Sequence, residues 1–391
     1  MGRSSKAYIA GAFEHPTRKA VDKTIAQLHA EVALGALQDA GLTKDDVDGY
    51  FCDGDVPGLG GLSMAEYMGL NLKYIDSTET GGSSYVLHVG HAVDAIAAGK
   101  CSVALITLAG RPKAEGVVSL AARDGDGGKL PERGFEIPYA PVITNMYGMA
   151  AMRHMYEYGT TSEQLAWIKV AASHHAQHNE RAVLRDVVTV EDVVNSPMIS
   201  DPLHRLDCCV ISDGGGALII VSPEVAKTLG DRCVKVLGSG TSIGHLNGGK
   251  FDLTYTGAAV SGPIAFEEAG LKPADIDYAS IYDSFTITVL ETIEDLGFCA
   301  KGDGGKFVSD GNLISGVGKL PFNTDGGGLC NNHPSNRGGM TKVVEAVRQL
   351  RGEAHPAVQV PDCTLALAHG TGGQISARHG SATVILGRND A

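Results

Sequence analysis

The feature that most limits the possible folds is an internal repeat. The sequence AGLTKDDVD at 40–48 returns as AGLKPADID at 269–277. Each copy follows a stretch with helical hydrophobic periodicity and leads into a short apolar run typical of a strand. A second similarity links the apolar runs 100–106 and 362–368, which both open onto a glycine-bearing loop. A repeat this far apart is too long for a solenoid. It predicts a duplicated α/β domain, in which helices alternate with buried strands.

The repeat divides the chain into two predicted halves, residues 1–225 and 226–391. The first half is expected to end after an apolar strand at 217–221, and the second to open with a strand at 234–237. Residues 111–205 interrupt the first half and are rich in Met, His and Tyr. Insertions over a sheet edge commonly form a lid or a binding wall, so this one is expected to line a substrate pocket.

Composition and charge exclude several functional classes. The chain has 32 Lys and Arg against 45 Asp and Glu, a net charge of −13, whereas nucleic acid and anionic membranes attract basic patches. No run approaches the roughly 20 apolar residues that span a bilayer, and the N-terminus has no hydrophobic signal region. The eight cysteines include no CxxC pair, which favours reduced thiols and a cytoplasmic location. His174 and His178 have the spacing of half a metal site, but nothing completes it, so no metal is predicted.

Several motifs resemble those of the thiolase superfamily, and more narrowly its sterol-carrier and lipid-transfer-protein branch. They are HRLDCCVISDGGGALII (204–220), IYDSF (281–285), NTDGGGLCNNHP (323–334) and LAHGTGG (367–373). The resemblance covers nearly the whole chain and implies an α/β fold whose two duplicated halves pack in five layers, α-β-α-β-α. It also implies an acyl-CoA substrate, with coenzyme A as substrate or product and no bound cofactor. A homodimer or higher homo-oligomer and a small OB-fold, zinc-ribbon partner protein are expected on the same grounds.

The motifs carry candidate catalytic groups. The Gly-His-Pro loop of the family is similar to Asn332-His333-Pro334, and its His-Asp-x-Phe segment to Tyr282-Asp283-Ser284-Phe285. A histidine on a glycine-rich loop can polarise a thioester carbonyl or donate to an enolate oxygen. A tyrosine can act as acid or base towards a β-hydroxyl group. His369 is expected at the same edge of the sheet, with Gly372 and Gly373 as candidate oxyanion N–H donors.

The sequence departs from the family at the position of the usual nucleophilic cysteine. Counting back from the end of the following helix places that position at Gly82, and no cysteine lies nearby. Ser83 and Ser84 carry hydroxyls, which need an adjacent base to act as nucleophiles. Cys330 is a further candidate, because it lies three residues before His333 and a folded-back loop would bring the two together.

Three functions stay open on the sequence alone. Acyl transfer of the thiolase type, which makes or breaks a carbon–carbon bond, is the first prediction and needs a relocated nucleophile. Retro-aldol cleavage of a β-hydroxyacyl-CoA needs a base and an enolate-stabilising site but no acyl-enzyme, so the missing cysteine suits it better. The YD-x-F segment and the runs 294–299 and 347–352 are similar to lipid-transfer-protein aldolases, although these carry a second tyrosine where this chain has His333. A non-catalytic subunit that binds acyl-CoA is the third prediction.

Overall fold

The chain alternates helices and strands, and the computed structural model describes residues 5–54, 56–117, 142–245, 251–334, 338–375 and 377–390. The helices are α1 (Ile25–Ala40), α2 (Gly61–Met68), α3 (Ser84–Ala97), α4 (Ile143–Tyr158), α5 (Ser162–Ala176), α6 (Val190–Val194), α7 (Pro223–Leu229), α8 (Ala258–Ala269), α9 (Thr286–Asp295), α10 (Gly304–Val308), α11 (Gly327–Cys330) and α12 (Gly339–Arg351). The strands are β1 (Tyr8–Glu14), β2 (Gly49–Cys52), β3 (Tyr74–Ser77), β4 (Val103–Gly110), β5 (Met198–Ser200), β6 (Leu203–His204), β7 (Gly214–Val221), β8 (Val234–Gly244), β9 (Tyr278–Ile281), β10 (Leu365–Gln374) and β11 (Ala377–Gly387).

Nine strands of the described residues form one mixed sheet in the order β3-β2-β4-β7-β1-β8-β11-β10-β9. The order β1-β7-β4-β2 in the first half recurs as β8-β11-β10-β9 in the second, with the same pattern of parallel and antiparallel neighbours. The halves join where Tyr8 and Ile9 of β1 pair with Lys235 and Val234 of β8. This recurrence agrees with the duplication inferred from the repeat. The predicted boundary at residue 225 falls inside α7 and stays a prediction.

Two helices, α3 and α12, form a central layer between the halves of the sheet. α3 packs against β4 and β2 on one side and against β10 and β11 on the other. Its sequence, SYVLHVGHAVDAIA, is buried almost all round, as expected for a helix without a wide polar face. α1 covers the outer face of the first half and α8 the outer face of the second. The structure therefore has the α-β-α-β-α layers that the family resemblance implies.

The 111–205 insertion packs over the second half of the chain. Its helix α5 lies against α9, α10 and α11, and α4 lies against α9 and β10. Residues 118–141 of the insertion lie outside the described part. The described part of the insertion therefore borders the segment after β9 and the loop that contains α11. No helix within the described ranges is long and apolar enough to cross a bilayer.

Candidate active site

Tyr282 and His333 meet at the end of β9. The backbone N–H of Tyr282 donates to the carbonyl oxygen of His369, 3.0 Å away, which fixes the chain where it leaves the sheet. The phenol Oη of Tyr282 lies 2.8 Å from Nε2 of His333, and the two rings meet edge to face with centroids 5.4 Å apart. Both side chains are buried. Burial, with Cys209 and Tyr147 close by, raises the pKa of Tyr282 well above its usual range, so the phenol is protonated.

The position predicted for the nucleophile packs directly against this tyrosine. A Cβ atom built on Gly82 would lie 2.5 Å from Cε2 and 2.6 Å from Cζ of Tyr282, and closer still to the carbonyl oxygen of Thr371. Real Cβ atoms essentially never come within 3.0 Å of such neighbours. The Tyr282 ring therefore occupies the space into which a cysteine side chain at this position would extend.

The loop that carries His333 is held by the residue after Tyr282. The Asp283 carboxylate accepts the N–H groups of Gly328, at 2.8 Å, and Leu329, at 3.0 Å, at the start of the short helix α11. Its Oδ1 also lies 2.7 Å from Nζ of Lys342 on α12, and both side chains are buried. Gly327 has a φ of +59°, and a Cβ atom there would collide with the same carboxylate. The glycines of this loop thus permit a close approach of backbone to a buried ion pair.

Cys330 faces the insertion. Its Sγ lies 3.1 Å from Nζ of Lys169 on α5, and the same ammonium donates to the carbonyl oxygen of Leu329 at 2.7 Å. Burial raises the pKa of the Cys330 thiol, although Lys169 opposes the shift. A buried, protonated thiol is a poor nucleophile. The Cys330 contact described is thus with Lys169, in place of the predicted pairing with His333.

Ser83 and Ser84 cap the turn that precedes α3. The Ser83 hydroxyl donates to the carbonyl oxygen of Thr80 at 2.8 Å, and the Ser84 hydroxyl accepts the Thr80 N–H at 2.8 Å. Neither bond supplies the base that a nucleophilic serine requires. Gly372 passes so near this turn that a Cβ atom would overlap the Thr80 carbonyl oxygen, and Gly373 packs beside it. These two glycines therefore lie beside the turn that contains Gly82, and their role as oxyanion donors stays a prediction.

His369 projects from the other face of β10, towards α8. Its Nδ1 lies 2.9 Å from the Thr383 hydroxyl and its Nε2 lies 3.2 Å from the Ser381 hydroxyl. The next residue, Gly370, faces Ser83 of the central layer, as alternation along a strand requires. Burial lowers the pKa of His369 to about 3, so its imidazole is neutral. In the bonds described, His369 contacts Tyr282 through its backbone carbonyl, while its side chain contacts Thr383 and Ser381; its catalytic role stays a prediction.

A mainly apolar cavity of about 600 Å³ lies beside Phe285, three residues after Tyr282. Its wall is formed mainly by the insertion and by the segment before β7. It is lined by Lys113, Thr144, Val183, Leu184, Ile199, Arg205, Leu206, Cys208, Cys209, Val210, Ile211 and Phe285. Phe285 closes the Tyr282 segment, and Cys209 lies near the phenol. The prediction that the insertion lines a pocket therefore agrees with this cavity.

Sequence reasoning missed the charged groups that support the site. Asp283 directly follows Tyr282 in the IYDSF motif. Its position beside a candidate catalytic residue could have indicated a role in supporting the site. Lys169 interrupts an otherwise apolar stretch of α5, and Lys342 precedes two valines in α12. Both are almost fully buried, which marks each as a paired charge. Within the described ranges, no group of three or more His, Cys, Asp or Glu side chains is arranged to hold a metal ion.

The comparisons with known proteins agree with this architecture. Residues 240–388 match the family described as thiolase C-terminal domain-like. The chain is 34% identical to an acetyl-CoA acetyltransferase of Methanothermobacter thermautotrophicus, over 90% of this chain and 92% of that protein. It is also 34% identical to a steroid side-chain-cleaving aldolase of Thermomonospora curvata, over 88% and 90% of the two chains. A solved structure described as the Ltp2-ChsH2(DUF35) aldolase superposes with a TM-score of 0.86 at 32% identity, covering 98% of both chains. This chain therefore belongs to the thiolase superfamily.

Proposed function

We propose that the protein cleaves the carbon–carbon bond of a β-hydroxyacyl-CoA by a retro-aldol reaction. The observation that carries the proposal is the packing of the Tyr282 ring against Gly82, which leaves no room for a cysteine nucleophile. The same packing places the phenol 2.8 Å from the imidazole of His333. An acid–base pair without a nucleophile suits a reaction that needs proton transfer and no acyl-enzyme.

The reaction follows from a proton relay through the pair. As the Tyr282 proton moves to Nε2 of His333, the phenol oxygen takes the proton of the substrate β-hydroxyl group, so a free phenolate is avoided. The Cα–Cβ bond breaks and its electron pair forms the enolate of the departing acyl-CoA, while Cβ becomes a ketone or aldehyde carbon. The proton then returns through Tyr282 to the enolate carbon. The products are a carbonyl compound and a shortened acyl-CoA, and no cofactor is consumed.

The surroundings of the pair suit such a substrate. The apolar cavity next to Phe285 would take a bulky apolar part of the acyl chain, and Lys113 and Arg205 in its lining would attract the anionic coenzyme A. Gly372 and Gly373 lie beside the turn of Gly82, where their N–H groups would stabilise the enolate oxygen.

Acyl transfer of the thiolase type is the second candidate, favoured by the 34% identity to the acetyl-CoA acetyltransferase. It requires a thiolate or an activated hydroxyl near the thioester. The Cys330 thiol is buried against Lys169, and the hydroxyls of Ser83 and Ser84 cap a turn. These contacts argue against each candidate nucleophile, so retro-aldol cleavage is the better supported function.

The partner and oligomer assignments belong to the same proposal. The aldolase structure that superposes on this chain carries a DUF35 component in its name, which supports a small OB-fold, zinc-ribbon partner for this chain. We also propose a homodimer or higher homo-oligomer in the cytoplasm. Light scattering on the purified chain, with and without such a partner, measures both assemblies.

The decisive experiment offers the protein a β-hydroxyacyl-CoA and follows the shortened acyl-CoA and the carbonyl product by liquid chromatography and mass spectrometry. Tyr282→Phe removes the relay while keeping the ring, and should lower kcat by about 10²- to 10⁴-fold, the usual contribution of general acid–base catalysis. Tyr50→Phe is the matched control, because Tyr50 is equally buried and its hydroxyl bonds to Thr107 at 2.8 Å, away from the site. His333→Gln should resemble Tyr282→Phe.

Other outcomes separate the alternatives. Intact-mass analysis after incubation with a 3-ketoacyl-CoA should give no acyl adduct. An adduct mapped to Cys330, Ser83 or Ser84 would contradict the proposal and establish acyl transfer. Binding of acyl-CoA without turnover of either substrate class would leave the non-catalytic subunit as the function.

A further inference from the structure

A short segment, residues 208–212, connects the two parts of the site, and we call it the bridging segment. At one end Cys208 pairs with Phe285 as an isolated antiparallel bridge, and the Cys209 N–H donates to the Ser284 carbonyl oxygen at 2.9 Å. At its centre the Val210 N–H donates to the carbonyl oxygen of Gly328 at 2.9 Å. The segment thus contacts both the residues after Tyr282 and the glycine-rich loop.

The other end of the bridging segment holds His333. The Ser212 hydroxyl accepts the backbone N–H of His333 at 2.9 Å, and the Ser212 N–H faces the His333 carbonyl oxygen at 3.5 Å. Ser212 also pairs with Pro334 as an isolated parallel bridge, and it is fully buried. Its hydroxyl is a side-chain acceptor for the main chain of His333, a residue that the mechanism requires at a fixed place.

The bridging segment is itself anchored. The carboxylate of Asp213, directly after it, accepts the N–H groups of Ala20 and Lys113, both at 2.7 Å, and that of Ala114 at 3.0 Å. The chain then enters β7 at Gly214, in the centre of the sheet. Ser212 is therefore attached to a rigid support, and the His333 loop is held against it.

We propose that Ser212 is a positioning residue that sets the Tyr282–His333 distance; this rests on the retro-aldol function proposed above. Without the hydroxyl, the buried His333 N–H loses this acceptor, and the loop gains freedom to shift. A displacement of about 1 Å at a proton-transfer site costs as much as 100-fold in rate. Since Ser212 touches neither the phenol nor the imidazole in the bonds described, its effect acts through the His333 backbone.

The test compares three serine variants in the β-hydroxyacyl-CoA assay. Ser212→Ala should lower kcat by about 10- to 100-fold with KM within about twofold of wild type, because placement and not substrate binding is lost. Ser212→Thr retains the hydroxyl and should restore most of kcat. Ser222→Ala is the matched control: Ser222 is also buried and its hydroxyl accepts the N–H of Val225, at the start of α7 away from the site. It should lower the unfolding temperature but leave kcat unchanged.

A spectroscopic measurement keeps the proposal testable without turnover. In protein labelled with 3-fluorotyrosine, the ¹⁹F resonance lost in Tyr282→Phe belongs to Tyr282 and reports its hydrogen bond to His333. That resonance should move in Ser212→Ala and return in Ser212→Thr, with no change in Ser222→Ala. A resonance and kcat that both stay at wild-type values in folded Ser212→Ala would overturn the positioning role. If wild type turns over no β-hydroxyacyl-CoA, the function fails, and the resonance alone then decides whether Ser212 positions His333.

Discussion

Gly82→Ala tests whether the Tyr282 ring fills the space of the missing nucleophile. The added Cβ atom would lie 2.5 and 2.6 Å from two ring atoms of Tyr282, and closer to the carbonyl oxygen of Thr371. That oxygen belongs to the backbone of β10, and the ring is buried and bonded to His333. Neither neighbour can simply rotate away, so the substitution must displace the ring, the strand or the turn.

The size of the effect follows from two opposing contributions. Overpacking a close-packed core costs about 1–3 kcal/mol, and fixed neighbours on two sides place Gly82→Ala in the upper part of that range. Alanine also restricts the unfolded chain, which returns about 0.4–1 kcal/mol because Gly82 does not have a positive φ. The net loss in the free energy of unfolding should be about 2 kcal/mol.

Gly54→Ala is the matched control, since a Cβ atom there meets nothing closer than 3.5 Å and its φ is also ordinary. Urea unfolding followed by circular dichroism measures both variants, and the aldolase assay measures the site. Gly54→Ala should be neutral or slightly stabilising, while Gly82→Ala should lose stability and activity together as the 2.8 Å contact lengthens. If both variants unfold at the same urea concentration and keep wild-type kcat, the space beside Gly82 is open and the argument against a nucleophile there fails.

Two further predictions concern buried charges and pH. Lys342→Met leaves Asp283 buried without its counter-ion and should lower the free energy of unfolding by about 3–5 kcal/mol in urea titrations. The same change at the exposed Lys44, which pairs with Asp45, should have little effect, and equal losses would contradict the assignment of Lys342 as a buried partner. Burial lowers the pKa of His369 to about 3 in the folded protein. Below about pH 6.5, His369 therefore binds a proton in the unfolded chain but stays neutral in the folded chain. Stability should therefore fall as the pH drops from about 6.5 towards 3, and His369→Gln should flatten this slope; an unchanged slope would exclude His369 as a contributor.

Much of the architecture could be read from local patterns. The apolar runs predicted at 217–221 and 234–237 fall in β7 and β8, and the repeat copies 40–48 and 269–277 each join a helix to a strand, α1 to β2 and α8 to β9. Such elements follow from the periodicity of neighbouring residues, which is why a single sequence suffices for them. The motif that contains Tyr282 likewise falls where expected, at the end of a buried strand.

The direction of individual side chains was harder to predict. Cys330 and His333 are three residues apart, yet Cys330 ends a helical turn that faces Lys169, while His333 lies beyond that turn against Tyr282. Likewise His369 lies in the motif that predicted it, but its side chain faces α8. Successive residues of a strand point to opposite faces of the sheet, so a shift of one residue reverses the direction of a side chain. Which face of a strand lies towards the central helices depends on how the layers stack, and no local sequence pattern encodes this.

The sequence by itself determined the duplication, the superfamily resemblance and the absence of a cysteine at position 82, since each is a matter of residue identity and spacing. Only the tertiary structure decided what replaces that cysteine. Tyr282 and His333 are 51 residues apart and come from different segments of the second half, while Gly82 comes from the first. Their meeting point is created by the packing of the two halves around the central helices, which brings together backbone and side chains that share no local sequence signal.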